Sequence, residues 1–116
     1  MIKKSEEMTK EIKKEMRGGE GETLITHFFE KGEFKGNARL VSKIVLHPGA
    51  SVGYHVHENE EEIYFIIEGK ALYNDNGEEK LLYSGDSSLC LSGEGHSIKN
   101  ISDSEPLVLL ALILTY

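Results

Sequence analysis

The chain has 116 residues, with 13 Lys and Arg against 20 Asp and Glu and a formal net charge of −7. That length supports one hydrophobic core, and 39% apolar with 28% charged residues excludes global disorder. The single cysteine, Cys90, excludes an internal disulfide framework and an all-cysteine zinc site, and the acidic balance argues against nucleic acid as a partner.

Residues 1–17 concentrate six bases against four acids. Met1-Ile2-Lys3-Lys4 runs into further charge without the apolar core of a secretory signal, so a cytoplasmic location is expected. Met8, Ile12 and Met16 recur at i, i+4 and i+8, with Glu6 four positions before Lys10, which favours a short amphipathic helix or arm. Gly18-Gly19-Glu20-Gly21 ends it, and the expected division is an arm over residues 1–22 followed by one domain over 23–116.

From Thr23 the pattern becomes short β-prone segments separated by turn residues. Thr23 to Phe29 and Ala38 to Leu46 are the first two, stopped by His47-Pro48-Gly49. Ile63 to Ile67 is a continuous apolar run. Lys70 to Asn74 meets Asp75-Asn76-Gly77, a hairpin signal, because a tight turn needs positive φ and Asn or Gly supplies it cheaply. Leu81 to Tyr83, Ser87 to Leu91, Ser97 to Ile101 and Leu107 to Thr115 complete eight or nine strands, an all-β sandwich or barrel. Leu107 to Leu114 is far shorter than the about 18–20 residues a membrane span requires, so no membrane partner is expected. Its lack of alternation predicts a strand covered on both faces, one by the core and the other by a neighbouring sheet, the arm or another subunit. With an apolar terminal strand and an arm to cover edges, a homodimer is expected.

Three of the five histidines are placed for metal chemistry. His55 and His57 are two apart, so an extended strand points both imidazoles to one face. Glu60, Glu61 and Glu62 follow, and a hairpin between His57 and Ile63 would return one of these carboxylates to the histidines. His96 opens another strand after Gly93-Glu94-Gly95. Three imidazoles and a carboxylate suit Mn, Fe, Co, Ni, Cu or Zn better than Ca or Mg. His27 reads as a satisfied structural histidine, His47 as an exposed turn residue and Cys90 as a small buried hydrophobe.

Residues 49–69 read Gly49, five residues, His55-Val56-His57, four residues, Glu62, six residues, Gly69. Residues 85–100 read Gly85, five residues, Leu91, one residue, Gly93, two residues, His96, three residues, Asn100. The two segments resemble the paired motifs of the cupin superfamily, G-x5-H-x-H-x4-E-x6-G and G-x5-P-x-G-x2-H-x3-N, with Leu91 standing where proline is usual. The 15 residues between them, Lys70 to Ser84, resemble the short spacer of small single-domain microbial cupins. The resemblance implies a double-stranded β-helix, the jelly-roll barrel, with one divalent transition-metal ion on His55, His57, Glu62 and His96. The spacing to Gly69 selects Glu62, with Glu61 as the fallback carboxylate.

Tyr54 and Tyr64 adjoin ligand positions and are candidates, with Glu61, to back the ligands or touch a substrate. Glu60, Glu61 and Glu94 are candidates for proton transfer at the rim. A divalent ion with one carboxylate leaves a centre of net charge about +1, which favours a small oxygen-rich anion such as a keto acid, a dicarboxylate or a sugar derivative. The expected function is a metal-dependent enzyme of isomerase, dioxygenase or decarboxylase type. The alternative is a metal- or ligand-binding sensor cupin without catalysis.

Overall fold

The computed structural model describes residues 1–116 as ten strands and two single turns of 3₁₀ helix. The strands are β1 (Thr9–Lys14), β2 (Glu22–His27), β3 (Ala38–Leu46), β4 (Ser51–Val56), β5 (Glu60–Glu68), β6 (Lys70–Asp75), β7 (Glu78–Tyr83), β8 (Ser87–Cys90), β9 (Gly95–Asn100) and β10 (Leu107–Thr115). They form two antiparallel sheets, ordered β1-β2-β3-β10-β5-β8 and β4-β9-β6-β7. The two sheets enclose the core of an all-β barrel, as the strand pattern predicts, and its form is the jelly roll that the resemblance implies. The hairpin at residues 75–77 is present, with Asn76 and Gly77 at φ 51° and 102°, and the Gly77 N–H donating to Asn74 Oδ1 at 2.7 Å.

Alternation along the strands builds the core. Leu107, Leu109, Ala111 and Ile113 of β10 point inward, while Val108, Leu110, Leu112 and Leu114 face out half-buried. The register sets Leu109 between Ile44 of β3 and Ile66 of β5, all three almost without solvent contact. Burial of each such side chain is worth about 1.5–3 kcal/mol. At the next level inward-facing Ala111 pairs with Ser42 and Tyr64, a small residue beside a large ring.

Two expectations need correction. Residues 9–14 form a strand rather than a helix: β1 pairs with β2 from Thr9 opposite His27 to Lys14 opposite Glu22, and that ladder satisfies the backbone a lone helix would leave marginal. Only Ser5–Glu7 makes a helical turn before it. The segment from His57 to Ile63 is not a hairpin, because β4 and β5 lie in different sheets and the chain crosses between them. Of the covers expected for the outer face of β10, neither the arm nor the other sheet lies over it, and its outward residues are half-buried.

One irregularity positions the histidines. Val52 pairs with Ile98, but His55 pairs with His96, so β4 carries one residue more than β9 over that stretch. Val52 and Ile98 point into the core; the extra residue at Gly53-Tyr54 then restores inward direction to His55 and His57 instead of Tyr54 and Val56. After β1, the 3₁₀ turn Met16–Gly18 lies on this part of β4, with Met16 packed against the core.

Candidate metal centre

Four side chains converge inside the mouth of the barrel. His55 and His57 come from β4 and the residue after it, Glu62 from β5 and His96 from β9. One ligand atom of each lies within 4.8 Å of the others. Glu62 Oε1 is 3.1 Å from His57 Nε2, 3.1 Å from His96 Nε2 and 3.9 Å from His55 Nε2. All four are nearly inaccessible to solvent. Period-2 alternation decides the carboxylate: Glu62, Tyr64 and Ile66 face inward, and Glu61 faces the other way.

The far nitrogen of each ring is held. His55 Nδ1–H donates to the Gly53 carbonyl at 2.7 Å, and His57 Nδ1–H donates to Glu60 Oε2 at 2.6 Å. His96 Nδ1 lies 2.8 Å from Tyr73 Oη, a hydroxyl able to accept a hydrogen bond from Nδ1–H. With the Nδ1 protons so placed, neutral rings turn their Nε2 lone pairs to one point, and His57 Nε2 and His96 Nε2 stand 3.1 Å apart with no proton to share. Converging lone pairs and a buried carboxylate fit a cation, and the nitrogen-rich set fits a transition metal.

The charges agree with that fit. Burial alone would raise Glu62, but the three imidazoles gathered around its carboxylate, those of His55, His57 and His96, outweigh it and hold the carboxyl well below its usual range. The carboxylates of Glu62 and then Glu60 beside it raise His57 against the opposing effect of burial, whereas burial lowers His96. The Arg39 guanidinium grips Glu60 at 2.7 and 2.8 Å and is the chief reason its carboxyl falls to about 2. Arg39, Glu60 and His57 thus form a chain ending at the centre.

The other candidates separate by face. Tyr64 stacks on His96, with ring centroids 5.0 Å apart and planes 14° from parallel, and its burial pushes the phenol up. Tyr54 lies outside, half-exposed, its ring over Gly95. Glu61 points away from the centre. Glu94 accepts a hydrogen bond from the Leu91 N–H at 3.0 Å, which accounts for leucine in a proline position: the N–H that proline lacks has a partner. Cys90 is buried opposite Glu62, and burial lifts its thiol to about 11. Sequence reasoning missed Tyr73 and Arg39, and named Glu60 as one of three carboxylates that could return to the histidines and as a proton-transfer group, without its link to His57 Nδ1.

A cavity of about 230 Å³ opens over His57 and Glu62, and Lys13, Arg17, His27 and Arg39 are among its lining residues. His27 is also bonded to Glu11 at 2.8 Å. Substituting Glu60→Gln keeps an acceptor for His57 but removes the charge that pairs with Arg39. Metal affinity is expected to drop about 10- to 100-fold, read by competition with a chromogenic chelator.

The cupin domain model matches residues 42–113. The oxalate-binding protein of Thermotoga maritima is 40% identical over 114 residues, spanning 98% of this chain and 94% of that protein. A crystal structure described as a predicted oxalate decarboxylase from Thermotoga maritima matches with a TM-score of 0.93 at 40% identity, covering 100% of both chains. A cupin protein from Bacteroides fragilis matches with a TM-score of 0.64 at 33% identity, over 72% of this chain and 69% of that one. With both motifs in place in the barrel and these matches across it, the chain belongs to the cupin family.

Proposed function

We propose that the protein holds one divalent transition-metal ion on His55, His57, Glu62 and His96 and binds a small oxygen-rich dianion of the oxalate class in the cavity beside it. The observation that carries this reading is the convergence of four buried ligand atoms, three of them imidazole nitrogens whose opposite edges are held, beneath a cavity whose lining includes Lys13, Arg17 and Arg39 beside Glu11. A bound divalent ion supplies Lewis acidity and one or two positions for ligand oxygens. With one carboxylate and neutral imidazoles the centre has net charge about +1, and the flanking cations add to the attraction for an anion. The 40% identical relative carries the name oxalate-binding protein, which supports the same ligand class.

Binding is favoured over turnover by how the nearby carboxylates are engaged. Glu60 is held by Arg39 and His57, Glu94 by Leu91, and Glu61 faces away. The second reading, decarboxylation, draws on the His27–Glu11 couple in the same cavity. There the carbon–carbon bond of oxalate breaks, carbon dioxide leaves, and a proton reaches the carbon that becomes formate.

Untagged protein purified without added metal is expected to carry one transition-metal ion per chain by elemental analysis. Calorimetry is expected to show oxalate binding with metal and none after its removal by chelation; metal-independent binding, or none at all, overturns the reading. Formate release that is lost in His27→Ala while binding persists would establish the second reading instead.

We also propose a homodimer through the outer face of the larger sheet. Phe65 and Ile67 are each 41% exposed there, with Leu89 and the outward residues of β10 alongside. An apolar face of that kind on a soluble barrel is expected to be covered by a second copy. Sedimentation of the wild type at micromolar concentration is expected to give a dimer, and Phe65→Lys is expected to shift it to monomer.

A further inference from the structure

We propose that Arg17 sets the preference of the site for dianions, by receiving those ligand oxygens that face away from the metal; this rests on the metal–anion reading above. Three cationic side chains of fixed charge line the cavity over His57 and Glu62: Lys13, Arg17 and Arg39. Arg39 is already bound through two nitrogens to Glu60. Lys13 and Arg17 form no ion pair within the chain.

The backbone distinguishes these two. Both side chains are exposed, but Lys13 lies on edge strand β1. Arg17 lies in a turn tied at every side. The Glu15 N–H donates to the Gly21 carbonyl at 2.9 Å, Gly18 N–H to Glu15 at 3.0 Å and Gly19 N–H to Met16 at 2.9 Å. Ser51 N–H donates to the Glu20 carbonyl at 2.8 Å, and Glu20 N–H to Ser51 Oγ at 2.9 Å. Met16 is seated on the core, and the Arg17 carbonyl lies so close to Gly53 that no side chain fits there.

Within this turn Glu15 and Arg17 both adopt left-handed backbone, at φ 48° and 55°. Each costs about 1–2 kcal/mol in a residue with a Cβ, a strain that persists only where the surroundings over-determine it. The result is a backbone-fixed arginine on the wall of the cavity that His57 and Glu62 also line, with no ion-pair partner within the chain. A guanidinium fork matches a carboxylate through two parallel hydrogen bonds. A monocarboxylate on the metal has no second carboxyl to offer it, whereas a dicarboxylate has.

The test uses the full chain loaded with Co²⁺, whose visible absorption reports an anion entering the metal's coordination sphere. Oxalate and acetate are titrated into wild type, Arg17→Gln, Arg17→Lys and Lys13→Gln, after cobalt stoichiometry has been measured for each. Arg17→Gln is expected to weaken oxalate about 10- to 100-fold, the worth of one charge-assisted contact, and acetate by no more than about threefold. Arg17→Lys is expected to recover part of the loss. Lys13→Gln removes the same charge from the same cavity and is expected to weaken oxalate far less. The proposal is overturned if Arg17→Gln binds oxalate as wild type does, if Lys13→Gln loses as much, or if Arg17→Gln no longer takes up cobalt. Failure of the underlying reading looks different: oxalate would leave the cobalt spectrum of the wild type unchanged.

Discussion

The Glu62→Gln protein is expected to bind divalent metal about two to three decades more weakly than wild type while keeping its fold. Glu62 supplies the only formal charge among the four converging groups and is 3% exposed. Removing one member of a buried charge pair costs about 3–5 kcal/mol, and each decade of affinity is about 1.4 kcal/mol. Glutamine has nearly the same shape, so the packing around position 62 stays filled. The measurable consequences are loss of metal on elemental analysis and loss of the rise in melting temperature that metal gives the wild type. Wild-type metal content in this variant would refute the assignment of the centre.

Gly53→Ala is expected to be the most damaging single methyl group added to the barrel. A Cβ there meets the Arg17 carbonyl oxygen and lies 2.8 Å from the Gly19 nitrogen, both backbone atoms tied into the turn over β4. Neither can swing aside as a side chain would, so the expected loss is about 3 kcal/mol, or about 10 °C in melting temperature. Because the Gly53 carbonyl also holds His55, metal affinity should fall with stability. Gly95→Ala is the contrast. Its Cβ would meet the ring of Tyr54, which is half-exposed and free to turn outward, so thermal unfolding should register a much smaller loss.

How far these features were legible in the sequence follows from the range over which each is determined. The hairpin at Asn76-Gly77 rests on local spacing and the four ligand positions on the paired motifs of the resemblance, and the structure brings both together as expected. The choice of Glu62 over Glu61 needed only the inward series Glu62, Tyr64, Ile66, which the uniformly apolar run hid. Tyr73 and Arg39 were out of reach for another reason. Tyr73 meets His96 because β6 pairs with β9, and Arg39 meets Glu60 across the end of β10, so both depend on sheet order. The arm misled because Met8, Ile12 and Met16 are even-numbered steps apart, a spacing that suits a strand of period 2 as well as a helix. Pairing with β2 chose between them.

The single unmatched residue of β4 implies that this centre is governed by a count as much as by chemistry. Shortening the chain by one position at Gly53-Tyr54 would leave Val52 and Ile98 packed and every imidazole still encoded, yet two of the three would look out into water. One codon of length is therefore enough to disperse or reassemble the cluster, with the core and the clustered residues themselves unaltered.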